Sequence, residues 1–267
     1  MAYAGRLAII AGGLGGLGSA TGKRLRSQGA DLVLLYAPFE ASRKDTVLES
    51  TFGSSNPDGV SAVECDITSE ASVAAAFETI SSISKSAGAF PSICINAAGY
   101  VSVTPLADTT AEEALKNIIP NLLGPFTVSK AFYHLYTTWK DSLTGGASAP
   151  PGRIVSIASQ AAHVALDGHG PYCASKAGLI GLTKCMANEW GSAGITANTV
   201  SPGVALTELG KKAWSEGPVR DKHLADIPTG RFSEPEEIAG VIELLCGDGM
   251  GNVNGADLRV DGGFTIR

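Results

Sequence analysis

Cysteine and histidine are few and scattered in this chain. The five cysteines, Cys65, Cys94, Cys173, Cys185 and Cys246, stand far apart with no Cys-x-x-Cys pair, and the four histidines form no ligand-spaced cluster. A metal site and a disulfide framework are therefore not expected. No Asn-x-Ser/Thr acceptor occurs, so nothing marks the secretory route, and a reducing, cytoplasmic setting is the expectation. Basic charge is in deficit too, with a formal net charge of -6. Nucleic acid and anionic membranes call for basic patches, so the expected partners are small molecules or other proteins. No shift in composition marks a second domain and no internal repeat is visible, so residues 1–267 read as one domain.

Glycine is abundant, with 33 residues, and hydrophobic residues make up 44% of the chain, which suits a packed globule with many tight turns. Short apolar runs alternate with longer helix-like stretches, the pattern of a parallel sheet covered on both faces. Strands are expected at 7–11, 31–36, 60–65, 92–96, 153–157, 196–201 and 257–260, giving a doubly wound α/β fold with six or seven strands. Arg6 and the apolar run after it imitate the start of a signal peptide. Gly12, Gly13, Gly15, Gly16 and Gly18 would weaken a short apolar helix, whereas a strand entering a phosphate-binding turn needs them. Two stretches look irregular. Residues 144–152 read as a surface loop, and 203–228 follow a strand's carboxyl end, where a substrate lid is expected.

Two segments carry chemistry. Ala11-Gly12-Gly13-Leu14-Gly15-Gly16-Leu17-Gly18 lies between the first strand and a helix, where backbone amides can hold a pyrophosphate. Tyr172-Cys173-Ala174-Ser175-Lys176 places a phenol and an ammonium one turn apart on one helix face. A neighbouring cation lowers the phenol pKa from about 10 and makes tyrosine usable as a general acid or base. Alone, the first is also a plain strand-to-helix connection and the second a plain exposed pair.

Together, these segments and their order resemble the short-chain dehydrogenase/reductase family, in particular its 3-oxoacyl-carrier-protein reductase-like members. The resemblance implies a Rossmann fold. Gly12, Gly16 and Gly18 match the family's Thr-Gly-x-x-x-Gly-x-Gly, with Ala11 in the threonine place and Leu14, Gly15 and Leu17 in the same cofactor turn. Asp66, followed by Ile67, matches an adenine-contacting aspartate. Asn96-Ala97-Ala98-Gly99 matches the motif beside the adenine ribose and central sheet. Pro202-Gly203-Val204 and Thr207 match the turn and threonine at the nicotinamide end, and Asp261-Gly262-Gly263 the C-terminal signature.

The resemblance also implies a catalytic tetrad of Asn121, Ser159, Tyr172 and Lys176. Tyr172 moves the proton, Ser159 hydrogen-bonds the same oxygen, and Lys176 lowers the Tyr172 pKa and binds the nicotinamide ribose. Asn121 supports a water-mediated proton path, although Pro120 beside it also fits a helix start or kink. Ser156 is a rival serine, but strand alternation and family spacing favour Ser159. His163 reads as a substrate contact or a solvated loop residue, and Trp214 as a pocket wall or an anchor.

The implied activity is hydride transfer between NADP(H) and a ketone or secondary alcohol. The alternatives are a polyol or alcohol dehydrogenase working oxidatively with NAD(H), and a non-catalytic nucleotide-sensing module. The NADP(H) preference rests on Tyr36, which stands at the end of the second strand where NAD-specific relatives carry an acid, and on Ser42, Arg43 and Lys44 nearby. Arg43 and Lys44 read equally as a solvated helix start, and Gly15 stands where many NADP-dependent relatives carry a basic residue. A homo-oligomer, a tetramer by family resemblance, is expected because the helix from Tyr172 to Trp190 is too apolar for one exposed face.

Overall fold

The computed structural model describes residues 1–145, 147–214 and 216–266; Gly146 of the expected loop and Ser215 of the expected irregular stretch lie outside them. Among the described residues there are seven strands: β1 (Arg6–Ala11), β2 (Asp31–Tyr36), β3 (Val60–Glu64), β4 (Phe90–Asn96), β5 (Gly152–Ile157), β6 (Ile195–Pro202) and β7 (Asp257–Val260). All pairings are parallel and the order is β3-β2-β1-β4-β5-β6-β7. Strand order reverses between β1 and β4, the place where open α/β sheets leave a ligand crevice. The α-helices among the described residues are α1 (Gly16–Ser27), α2 (Lys44–Phe52), α3 (Glu70–Ala87), α4 (Ala111–Ile118), α5 (Gly124–Asp141), α6 (Gly170–Trp190), α7 (Glu208–Ala213), α8 (Pro218–Ala225) and α9 (Pro235–Cys246).

Alternation along the central strands sorts their side chains into two cores. Leu7, Ile9 and Ala11 of β1 face Phe77 and Ile80 of α3, Val128 and Phe132 of α5, and Met186 of α6. Ala8 and Ile10 face the other way, toward Leu25 of α1, Leu48 of α2, and Ile238 and Ile242 of α9. Burial on both faces is why these strands read as unbroken apolar runs.

The expected strand limits hold within one or two residues. The clearest difference is β4, which begins at Phe90 rather than Ser92. Pro91, a natural stop signal, lies inside it, and the pairing with β1 shifts register between Leu7 and Ala8.

Candidate active site

Parallel pairing brings the glycine turn after β1, the segment 96–99 after β4, Ser159 after β5 and the Pro202-Gly203 turn of β6 to one end of the sheet. Gly12 adopts φ +76°, and a Cβ there would lie 2.6 Å from the Ala98 nitrogen. A Cβ on Gly18 would overlap the Gly12 carbonyl oxygen, and one on Gly16 would lie 2.5 Å from the Thr207 methyl. Gly15 caps α1 without a side-chain hydrogen bond, and the first turn carries no acidic residue. The opening amides of α1 thus lack a side-chain acceptor, which suits a pyrophosphate. A dinucleotide fits this cradle. Leu14 is buried in the core and offers only its backbone, while Leu17 packs partly buried beside it.

Around the cradle, the expected residues divide. Asp66 Oδ1 accepts from the Thr68 N–H at 2.9 Å and the Thr68 hydroxyl at 2.7 Å, and Ile67 packs toward Gly124. Ala97 and Ala98 are half-buried and Gly99 is exposed. Asn96 takes the central-sheet part of its expected place: it is 2% exposed, and its Nδ2 donates to Ser129 Oγ and Ser156 Oγ, both at 3.0 Å. It points into the buried face and ties β4 to β5 and α5. The same bond removes Ser156 from the catalytic alternatives.

Ser159 stands just beyond β5, its Oγ accepting from the Ala161 N–H at 3.1 Å. Tyr172 lies in the first turn of α6, with Ser159 beside its phenol. Lys176, one turn on, is buried and donates from Nζ to the Ile157 carbonyl at 2.7 Å. Burial lowers its pKa from 10.5 to about 8. Here the expected electrostatics need correction. The Tyr172 pKa is raised by burial; the neighbouring Ser159 hydroxyl opposes the rise and Cys173 adds to it. The Lys176 ammonium lies 5.8 Å from the Tyr172 ring centroid and is turned to the Ile157 carbonyl.

Asn121 occupies a π turn, Ile119–Leu123, between α4 and α5, with Pro120 at its start. Its Oδ1 accepts from the Tyr100 N–H at 2.7 Å; its Nδ2 donates to the Tyr100 carbonyl at 2.8 Å and to Ser175 Oγ at 3.0 Å. A Cβ on Gly99 would lie 3.1 Å from Asn121 Oδ1 and 3.5 Å from Lys176 Nζ, which places both atoms beneath that glycine. Thr207 caps α7, accepting from the Gly210 N–H at 3.1 Å, and Val204 joins a small core with Ile227 and Phe232.

At the end of β2, Tyr36 is half-buried and Ser42 is exposed. Arg43 donates to the Leu14 carbonyl and pairs with Glu40 at 3.4 Å, while Lys44 pairs with Asp45 at 3.2 Å. Sequence reasoning passed over Glu40. Its side chain is 13% exposed and folds back so that Oε2 accepts from the Ala37 N–H at 3.0 Å. Proline at the first position of this turn and glutamate at the third were the available signal.

His163 takes neither expected role: its Nε2 lies 2.8 Å from Asp257 Oδ2, and Asp257 Oδ1 accepts from Thr199 and Ser201. Trp214 is an anchor, 4.6 Å from the His223 ring and 5.6 Å from Phe232 between centroids.

The family profile described as Enoyl-(Acyl carrier protein) reductase matches residues 12–265. D-threitol dehydrogenase of Mycolicibacterium smegmatis is 37% identical over 98% of this chain and 94% of its own length. The chain is a short-chain dehydrogenase/reductase. NAD-dependent glycerol dehydrogenase of Listeria innocua is 34% identical over 98% of the chain and 94% of its own length. A solved short-chain dehydrogenase/reductase from Serratia marcescens superposes with a TM-score of 0.83 at 29% identity, covering 99% of this chain and 100% of that one. This short-chain dehydrogenase/reductase is an oxidoreductase acting between a nicotinamide coenzyme and a ketone or secondary alcohol. Among the described residues, no helix is long and apolar enough to cross a membrane.

Proposed function

We propose that this enzyme interconverts a secondary hydroxyl of a small neutral polyol and the matching ketone, with Tyr172 as general acid and base. The observation that carries the reading is the placement of Tyr172 against Ser159 at the carboxyl end of the sheet, beside the glycine cradle. The relatives named for threitol and glycerol support the substrate class.

In reduction, Tyr172 donates its proton to the carbonyl oxygen and Ser159 hydrogen-bonds the same oxygen; oxidation reverses the transfer. The nicotinamide supplies or accepts the hydride. The raised Tyr172 pKa keeps the phenol protonated in the coenzyme-free protein. Asn121 braces Tyr100 and Ser175 under the pair, Lys176 would bind the ribose of a bound coenzyme, and α7 and α8 would cover the substrate.

The finer coenzyme choice follows the end of β2. The sequence favours NADP(H) because Tyr36 is not an acid. Two contacts weigh against it: Arg43 is already engaged with Leu14 and Glu40, and the Glu40 carboxylate is held beside Ala37. A 2′-phosphate there would face that carboxylate, so NAD(H) is the reading these contacts favour. A cytoplasmic, tetrameric enzyme completes the proposal.

Following the absorbance of reduced nicotinamide with panels of polyols, ketoses and simple alcohols tests it. Turnover of polyols and their ketones supports the reading. Absence of turnover with every member, despite coenzyme binding, rejects it in favour of a nucleotide-sensing module.

A further inference from the structure

Ser159 leads from β5 into the turn Gln160–Ala162, and the seating of that turn decides where the Ser159 hydroxyl stands. Ala158, just before it, still donates to the Val200 carbonyl of β6 at 2.8 Å. Past Ser159 the backbone bonds close on the turn itself: Ala162 donates to the Ser159 carbonyl, and His163 and Val164 both donate to the Gln160 carbonyl. Such bonds fix the shape of the turn and leave its seat on the sheet to side chains.

His163 supplies a tie to the sheet. Its Nε2 lies 2.8 Å from Asp257 Oδ2 and 3.3 Å from Ser201 Oγ. Asp257 is the first residue of β7, the edge strand, and stands in register with Thr199 of β6. Thr199 and Ser201 are buried, and their hydroxyls donate to Asp257 Oδ1 at 2.6 and 2.7 Å. The carboxylate is therefore locked onto β6 with its second oxygen on the imidazole. A carboxylate only accepts, so His163 donates from Nε2. An orienting chain thus runs from two buried hydroxyls through Asp257 and His163 to the turn that begins at Ser159.

The His163 side chain is 26% exposed and that of Asp257 12%. A pair that water still reaches adds only about 0–1 kcal/mol to stability, so what this one chiefly supplies is direction. Tyr172 is carried by α6, a different element, and the spacing of the two groups on the reacting oxygen follows from how the turn is seated against that helix.

We propose that His163 is a positioning residue for the reaction, clamped by Asp257 so that its turn holds the Ser159 hydroxyl on the reacting oxygen beside Tyr172. This rests on the roles proposed above for Ser159 and Tyr172. A misplacement of about 1 Å can cost a hundredfold in rate, so a partial loosening of the turn should be visible in kcat.

Kinetics of the full-length enzyme in two backgrounds provide the test, with the fastest polyol of the panel above, glycerol and threitol included. His163→Leu should lower kcat about tenfold while the coenzyme dissociation constant stays within about twofold of wild type. In a Ser159→Ala background the same substitution should change kcat less than about twofold, since no hydroxyl remains to be placed. His163→Gln, whose amide N–H can still donate to Asp257, should recover kcat to within about threefold of wild type. Should His163→Leu fail to fold by circular dichroism, His163→Phe, close in shape and without a donor, takes its place. An equal fall of kcat in both backgrounds is the mark of a purely structural role and overturns the inference. So does an unchanged kcat in His163→Leu, or a glutamine variant no faster than the leucine one; each leaves the reaction standing. Full kcat in Ser159→Ala alone, or no polyol turned over by the wild type, would overturn the reaction as proposed and the inference with it.

Discussion

Replacing Lys176 with methionine should change how the stability of the coenzyme-free protein depends on pH. Lys176 is buried, and burial lowers its pKa from 10.5 to about 8. Between those values the unfolded chain holds a proton that the folded chain has released, so wild-type stability rises with pH across that window. Below about pH 8 the lysine is charged in both states. The gap corresponds to a charging cost of about 3 kcal/mol at neutral pH. Lys176→Met removes this cost and keeps most of the apolar stem. It also leaves the Ile157 carbonyl unpaired, which offsets about 1–3 kcal/mol at every pH. The pH dependence of the difference is therefore the informative quantity. Denaturant unfolding at fixed protomer concentration should show the variant losing about 2 kcal/mol relative to wild type between pH 7 and about pH 9.5. A difference that is flat or opposite in slope would refute a buried, strained ammonium at this position.

Glu40→Gln should raise NADP(H) affinity about tenfold relative to NAD(H), since glutamine can still accept from Ala37 but carries no charge. Titration by intrinsic fluorescence checks this, and unchanged relative affinities would remove Glu40 from coenzyme choice. Ala174, Ala177 and Gly181 form an exposed face of small residues on α6, with open space beside Gly181. Light scattering at micromolar concentration should return a tetramer mass, and a monomer would reject the expected association.

The sheet was legible because two-sided burial writes each central strand as an apolar run; the turns at its carboxyl end were legible because glycine and short polar residues are the ones that fit there. Side-chain direction was not legible. Tyr172 and Lys176 sit one turn apart as their spacing requires, yet the ammonium turns to Ile157 and the burial of the phenol sets its pKa. Asn96 and Ser156 look like ligand groups in the sequence and prove to bond each other inside the sheet. Glu40 was missed although its turn carries a short signal, because a motif that closes a turn does not record that its carboxylate stands at the end of β2.

The most direct test of the mechanism is Tyr172→Phe, with kcat at saturating polyol and the dissociation constant of the coenzyme measured on the same preparation. The phenol acts on the reacting oxygen, so turnover should fall about a thousandfold while coenzyme affinity stays within about twofold of wild type. A variant that keeps most of the wild-type kcat would contradict the assignment of Tyr172 as the acid and base.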